Sequence, residues 1–139
     1  MSYAGDLSPD QAWARLEAGA ILVDVRTEAE WAHIGVPDTA AAGTGRNDPL
    51  FIQWNLSGGL PNPHFVEELR RQAPEDTGVE LLFLCRSGAR SIAAATAATQ
   101  AGYTSYNVLE GFEGETDRFG DRTVNGWKNR GLPTNLGKN

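Results

Sequence analysis

Two short, almost unbroken apolar runs constrain this chain more than any other feature: Ile21-Leu22-Val23-Asp24-Val25 and Glu80-Leu81-Leu82-Phe83-Leu84. Runs so short and so rich in branched side chains fit strands buried on both faces, the signature of a parallel sheet covered by helices. The segments between them read as helices. Ser8 caps a helix whose first position is Pro9 and whose end lies near Gly19, with Trp13 and Leu16 on its apolar stripe. Thr27-Glu28-Ala29-Glu30 sets an acid three residues after a cap, as a capping box requires, and opens a short helix through Trp31.

Further along, residues 50–54 read as a strand and Gly58-Gly59 with Pro61-Asn62-Pro63 as a loop. The spacing of Phe65, Val66 and Leu69 predicts a helix starting near His64. An alanine-rich helix is expected over residues 92–101, stopped by Gly102, and a short strand over residues 106–109. The tail from Gly111 is rich in Gly, Asp, Arg and Asn and reads as surface loop with a docked segment around Trp127. The alternation predicts one α/β domain, residues 1–139 with its core at about 6–133, built on a largely parallel central sheet with helices on both faces.

Eighteen acidic against twelve basic side chains, a net charge of -6, argue against nucleic acid and anionic membranes as partners. The first residues carry neither a basic cluster nor an apolar run, and no later stretch has the length of a membrane helix, so a cytoplasmic protein is expected. A single cysteine and two distant histidines, His33 and His64, supply neither a disulfide nor a zinc pattern. No structural metal is therefore expected.

The chemistry concentrates in Cys85-Arg86-Ser87-Gly88-Ala89-Arg90-Ser91, between the second buried strand and the alanine-rich helix. That is the carboxyl end of a parallel strand, where open α/β sheets bind ligands. Backbone N–H groups at a strand-to-helix turn lack helical partners and converge, and the helix dipole adds partial positive charge. Together with Arg86 and Arg90 they favour thiolate over thiol at Cys85, Gly88 permits the tight backbone, and Ser87 and Ser91 offer hydroxyl donors. The bland alternative, a buried cysteine before an arginine-rich helix cap, leaves this combination unexplained.

The loop resembles the active-site loop of the rhodanese family of sulfurtransferases. Leu22-Val23-Asp24-Val25-Arg26 followed by Glu30-Trp31-Ala32-His33-Ile34 is similar to that family's early motif, and Asn107-Val108-Leu109-Glu110-Gly111 with Trp127 to its closing region. The chain departs from the family at Ala32-His33-Ile34-Gly35-Val36-Pro37, where Gly-His-Ile-Pro-Gly-Ala is usual, and at Phe112, where a glycine often follows Gly111. The stretch from Ala40 to Pro63 is also longer than a minimal member needs.

The resemblance implies a thiosulfate sulfurtransferase. Cys85 attacks a small anionic donor, becomes a persulfide and passes the outer sulfur to cyanide, a thiol or a protein acceptor. It also implies that residues 86–91 bind the donor, Arg86 at the rim attracting it, while Asp24, Arg26 and Glu30 support the loop. Asp24 and Glu30 are both candidates to meet Arg90 beneath the loop, with Arg26–Glu30 as the other pairing. His33 reads as structural, His64 as an exposed first-turn residue, and Trp31, Trp54 and Trp127 as packing. Two rivals remain open at this level. A dual-specificity-type phosphatase would need five residues between Cys and Arg, where four stand between Cys85 and Arg90. A non-catalytic or carrier module would hold a protein partner instead.

Overall fold

The computed structural model describes residues 2–42, 48–56, 58–74 and 78–136. In chain order the elements are β1 (Gly5–Leu7), α1 (Pro9–Glu17), β2 (Ile21–Asp24), α2 (Glu28–His33), β3 (Val36–Pro37), β4 (Leu50–Phe51), α3 (Phe65–Gln72), β5 (Glu80–Leu84), α4 (Ala89–Gln100), β6 (Thr104–Val108) and β7 (Thr134–Asn135). Five strands form one sheet in the order β1-β6-β5-β2-β4, every neighbour parallel. The expected α/β domain with a parallel sheet is therefore what the chain forms. No described helix is long and apolar enough to cross a membrane.

The expected Ser8 cap and Thr27 capping box are both present, and Ser8 also forms a box of its own with Gln11. Ser8 accepts from the Gln11 N–H while the Gln11 side chain accepts from the Ser8 N–H, and Thr27 and Glu30 do the same for α2. β5 has the expected bounds, whereas the expected strand over residues 50–54 is a strand only at Leu50–Phe51, in register with Val23 and Asp24, and continues as single backbone bonds from Ile52 and Trp54 to Asp24 and Val25. Part of the long stretch before Pro63, residues 43–47 and 57, lies outside the described residues.

Alternation along the strands divides the core in two. Ile21, Val23, Leu81, Phe83 and Cys85 face α3 and α4, packing on Phe65, Leu69, Ala94, Ala95 and Ala98. Leu22, Leu82, Leu84 and Val108 face α1, packing on Ala12, Leu16, Phe112 and Trp127. Ala94, Ala95 and Ala98 of α4 are fully buried, so small side chains let that helix lie close on the sheet. Trp127 is also fully buried; its ring meets Trp13 edge-on at 5.8 Å and its N–H donates to the Pro133 carbonyl. This is the docked segment expected of the tail. Beyond it, β7 pairs antiparallel with β3, a short ribbon separate from the main sheet.

Candidate active site: a buried cysteine at the floor of a cleft

β5 is the central strand of the sheet, and Cys85 follows its last residue. The cysteine is 1% exposed yet forms part of the floor of a cleft of about 550 Å³. Arg86, Ser87, Ala89 and Arg90 make one wall, Thr27, Ala29 and Glu30 of the α2 start a second, and Asn55, Leu56, Gly58 and Gly59 the far rim. Of the loop residues singled out in the sequence, Gly88 and Ser91 do not line the cleft. Gly88 is the N-cap of α4, with φ 113°, and its N–H donates to the Cys85 sulfur at 3.1 Å.

α4 begins at Ala89, three residues before the expected start, because the left-handed Gly88 turns the chain directly into the helix. Arg90 and Ser91 thus belong to its first turn. Ser91 is fully buried, and its Oγ lies 3.2 Å from the Cys85 sulfur and donates to Asn107 Oδ1 at 2.6 Å. Arg86 and Ser87 are exposed at the rim. Of the two hydroxyls expected as donors, that of Ser91 here gives its hydrogen to Asn107, while that of Ser87 is at the rim.

The pairing of the charged residues follows from the geometry. Arg90 makes a two-pronged contact with Glu30, 2.8 and 3.0 Å, the side chains 23% and 19% exposed. Arg26 pairs with Asp24 at 2.6 Å, both fully buried, and also donates to the Gly35 carbonyl. Asp24 does not meet Arg90 because strand alternation sends it to the α1 side, together with its register partner Leu84, while Cys85 points to the α4 side. Phe112, where a glycine is usual, lies against the Arg26 guanidinium, 4.2 Å from carbon to ring centre. His33 is exposed, outside the cleft, and His64 is exposed beside Glu67.

Burial pushes the Glu30 carboxyl up, but the hydrogen bonds and charge of Arg90 and the bonds from Thr27 outweigh it and hold the group below the usual carboxylate range. A carboxylate with a lowered folded-state value stabilises fully above its unfolded value, about 4.3 for Glu, and loses that contribution as pH falls through the folded value. Thermal melts of wild type and Glu30→Gln should therefore differ at neutral pH and converge upon acidification below about pH 4. A gap that stays constant down to the acid limit would remove Arg90–Glu30 as its cause.

A second turn braces the cysteine loop from behind. The Phe112 N–H donates to the Cys85 carbonyl at 2.7 Å, and the N–H groups of Glu113 and Gly114 converge on the Arg86 carbonyl. Gly111, at φ 66°, passes so close that a Cβ there would stand 2.5 Å from the Arg86 and Cys85 carbonyl oxygens. Gly111 belongs to the closing motif seen in the sequence, but nothing in that motif signals this bracing role. Asp6, which bonds Asn107 behind the site, is a residue that sequence reasoning missed. The available signal was a polar residue at an inward strand position, since Asn107 is fully buried in β6 and needs a partner.

An α/β domain with a thiol at the C-terminal end of its central strand, opening a glycine turn into a helix, defines the class of protein. Residues 8–115 match the sequence pattern of the Rhodanese-like domain. The chain belongs to that family. It is 47% identical to Rv0390 from M. tuberculosis, whose crystal structure superposes with a TM-score of 0.88 over 97% of this chain and 99% of that one. The uncharacterized RP600 homolog of Rickettsia rickettsii is 37% identical over 115 residues, 82% of this chain and 81% of that protein. A rhodanese-like domain protein from Staphylococcus aureus, 18% identical, shares the fold with a TM-score of 0.56, over 82% of this chain and 93% of that one.

Proposed function

We propose that the protein is a sulfurtransferase that moves sulfane sulfur from a small anionic donor such as thiosulfate to a thiophilic acceptor through a Cys85 persulfide. The observation that carries this reading is the Cys85 sulfur on the cleft floor, with the Gly88 N–H aimed at it and Arg86 exposed on the wall above. Cys85, as the thiolate, attacks the outer sulfur of thiosulfate; the S–S bond of the donor breaks and sulfite leaves with its electron pair. An acceptor thiolate or cyanide then attacks the outer sulfur of the persulfide, and the Cys85 thiolate is regenerated. The chemistry calls for neither metal nor organic cofactor, and a single-cysteine chain of this kind would work in the cytoplasm.

The four-residue interval between Cys85 and Arg90 supports sulfur over a phosphoryl group, and the Arg90 fork is occupied by Glu30 rather than free to grip phosphate oxygens. The cleft volume favours one refinement, an acceptor thiol carried on a larger molecule, including a protein, because cyanide alone would fill little of about 550 Å³. The test is the intact mass after brief exposure to thiosulfate, beside Cys85→Ala. Gain of one sulfur atom on the wild type alone, removed by cyanide or a thiol, is expected. No gain in the absence of reductant would overturn the thiosulfate reading.

A further inference from the structure

Behind the nucleophile runs a chain of hydrogen bonds that the sulfur chemistry above does not use. Ser91 Oγ lies 3.2 Å from the Cys85 sulfur and 2.6 Å from Asn107 Oδ1; Asn107 Nδ2 donates to Asp6 Oδ1 at 3.0 Å, and the Tyr3 hydroxyl donates to the same Asp6 oxygen at 3.0 Å. The path crosses from α4 through β6 to β1 and ends at exposed Asp6, on the edge strand of the sheet. Its direction follows from the chemistry of the groups. A carboxylate oxygen that takes the Tyr3 hydroxyl can only accept, so the Asn107 amide must turn its NH2 to Asp6 and its oxygen to Ser91. An amide oxygen also only accepts, so the hydroxyl hydrogen of Ser91 goes to Asn107. Nothing is left on Ser91 to donate to sulfur, so in the thiol form the Cys85–Ser91 contact is made by the thiol hydrogen.

We infer that Asn107, oriented by Asp6, is a positioning residue that holds the Ser91 hydroxyl hydrogen away from the Cys85 sulfur. In the thiol form the sulfur then receives the Gly88 N–H and gives its own hydrogen to Ser91. When the thiolate forms, Ser91 must either keep its bond to Asn107 and face the anion with a lone pair, or turn and leave a buried amide oxygen unpaired. Either way the anion is less stabilised than a serine beside a cysteine would suggest, and a less stabilised thiolate is the better nucleophile. The nearby charges are Arg86 and Arg90, Glu30 of α2, and the Asp24–Arg26 pair on the far side of the sheet. Asn107→Leu alters none of them.

The inference rests on the sulfurtransferase reading only in taking Cys85 as the nucleophile, and its test uses no sulfur donor. Cys85 is the single cysteine, so the rate of alkylation by iodoacetamide reports on it alone. In Asn107→Leu the freed hydroxyl donates to the anion. A charge-assisted hydrogen bond raises the thiolate fraction about tenfold, and the lower basicity returns about threefold of that in reactivity. Alkylation should be about threefold faster than wild type at about pH 6 and about threefold slower at about pH 9. Asp6→Asn, which lets the Asn107 amide turn over, should produce the same crossover at smaller amplitude, while Tyr3→Phe should not. In a Ser91→Ala background Asn107→Leu should change nothing, an outcome that a general loosening of the fold would not give.

A rate for Asn107→Leu that is unchanged, or slower at both pH values, would overturn the inference, as would an equal effect in the Ser91→Ala background. Should Asn107→Leu not fold, Asp6→Asn at the exposed end decides, and absence of its crossover overturns the inference. Failure of the wild type to take sulfur from thiosulfate would sink the sulfurtransferase reading while leaving this crossover in place.

Discussion

Asp24→Ala should lower the unfolding free energy by about 3–5 kcal/mol in urea titration, the range for removing one partner of a buried ion pair. Asp24 and Arg26 are both fully buried, and the carboxylate receives the Arg26 backbone N–H as well as its Nε and Nη2. Without it, the guanidinium retains, among the described residues, the Gly35 carbonyl and the Phe112 ring. A domain of this size has a total stability of only about 5–15 kcal/mol, so a loss this large brings it close to unfolding. Replacing both members, Asp24→Ala with Arg26→Met, should recover much of the loss, because the uncompensated charge is then absent. Arg86→Ala offers the contrast. Exposed on the cleft wall, it should change stability by at most about 0.5 kcal/mol and instead raise the thiosulfate concentration needed for half-maximal sulfur loading. Equal destabilisation by Asp24→Ala and Arg86→Ala would refute this division of roles.

The ion-pair arrangement also shows where reading residues in order stops being sufficient. The Ser8 and Thr27 caps are legible because their partners lie three residues away, and β5 because an apolar run bounded by polar residues carries its own limits. The choice between Asp24 and Glu30 for Arg90 depends instead on strand parity. Counted from Val23 and Val25, Asp24 faces the opposite side of the sheet from Cys85, and only the register of β2 on β5 turns that count into a contact map. β1 is invisible in the sequence for a related reason. Its three residues, Gly5-Asp6-Leu7, form a strand only through pairing with Tyr106, Asn107 and Val108, about a hundred residues later. The β3–β7 ribbon joins residues similarly far apart, with two residues on each side and no periodicity to detect.

Phe112 and Asn107 show the same limit at the site. In the sequence Phe112 is a departure from a glycine pair; in the fold its ring fills the space against Arg26 and completes the α1-side core beside Trp127. The departure therefore belongs with the buried Asp24–Arg26 pair rather than with the cleft. Asn107 lies within the closing motif, but its link to Ser91 requires α4 to begin at Ala89, which the alanine run alone does not reveal. The cysteine loop itself is legible because its chemistry is concentrated in seven consecutive residues, Cys85 to Ser91. Its bracing is not, because that comes from a turn more than twenty residues further along the chain, at Gly111 to Gly114.

Gly111→Ala tests the bracing directly and should impair stability and sulfur loading together. At φ 66° an alanine costs about 1–2 kcal/mol for the left-handed conformation. Its Cβ would also stand 2.5 Å from the Cys85 and Arg86 carbonyl oxygens, backbone atoms that cannot rotate aside, and crowding of this kind costs about 1–3 kcal/mol more. Relief requires the two turns to separate, which weakens the bonds from Phe112, Glu113 and Gly114 and shifts the Gly88 N–H relative to the sulfur. Persulfide formation should fall at least about tenfold even at temperatures where the variant is folded, since displacements of about 1 Å at a reacting centre have effects of that order or greater. Gly120→Ala separates the two contributions. Gly120 has φ 86° and only open space within 4 Å of the point a Cβ would occupy, so its alanine variant bears the conformational cost alone and should load sulfur at the wild-type rate. If both variants lost the same stability and both kept full loading, the close approach of Gly111 to the Cys85 and Arg86 carbonyls would not be what holds the nucleophile in place.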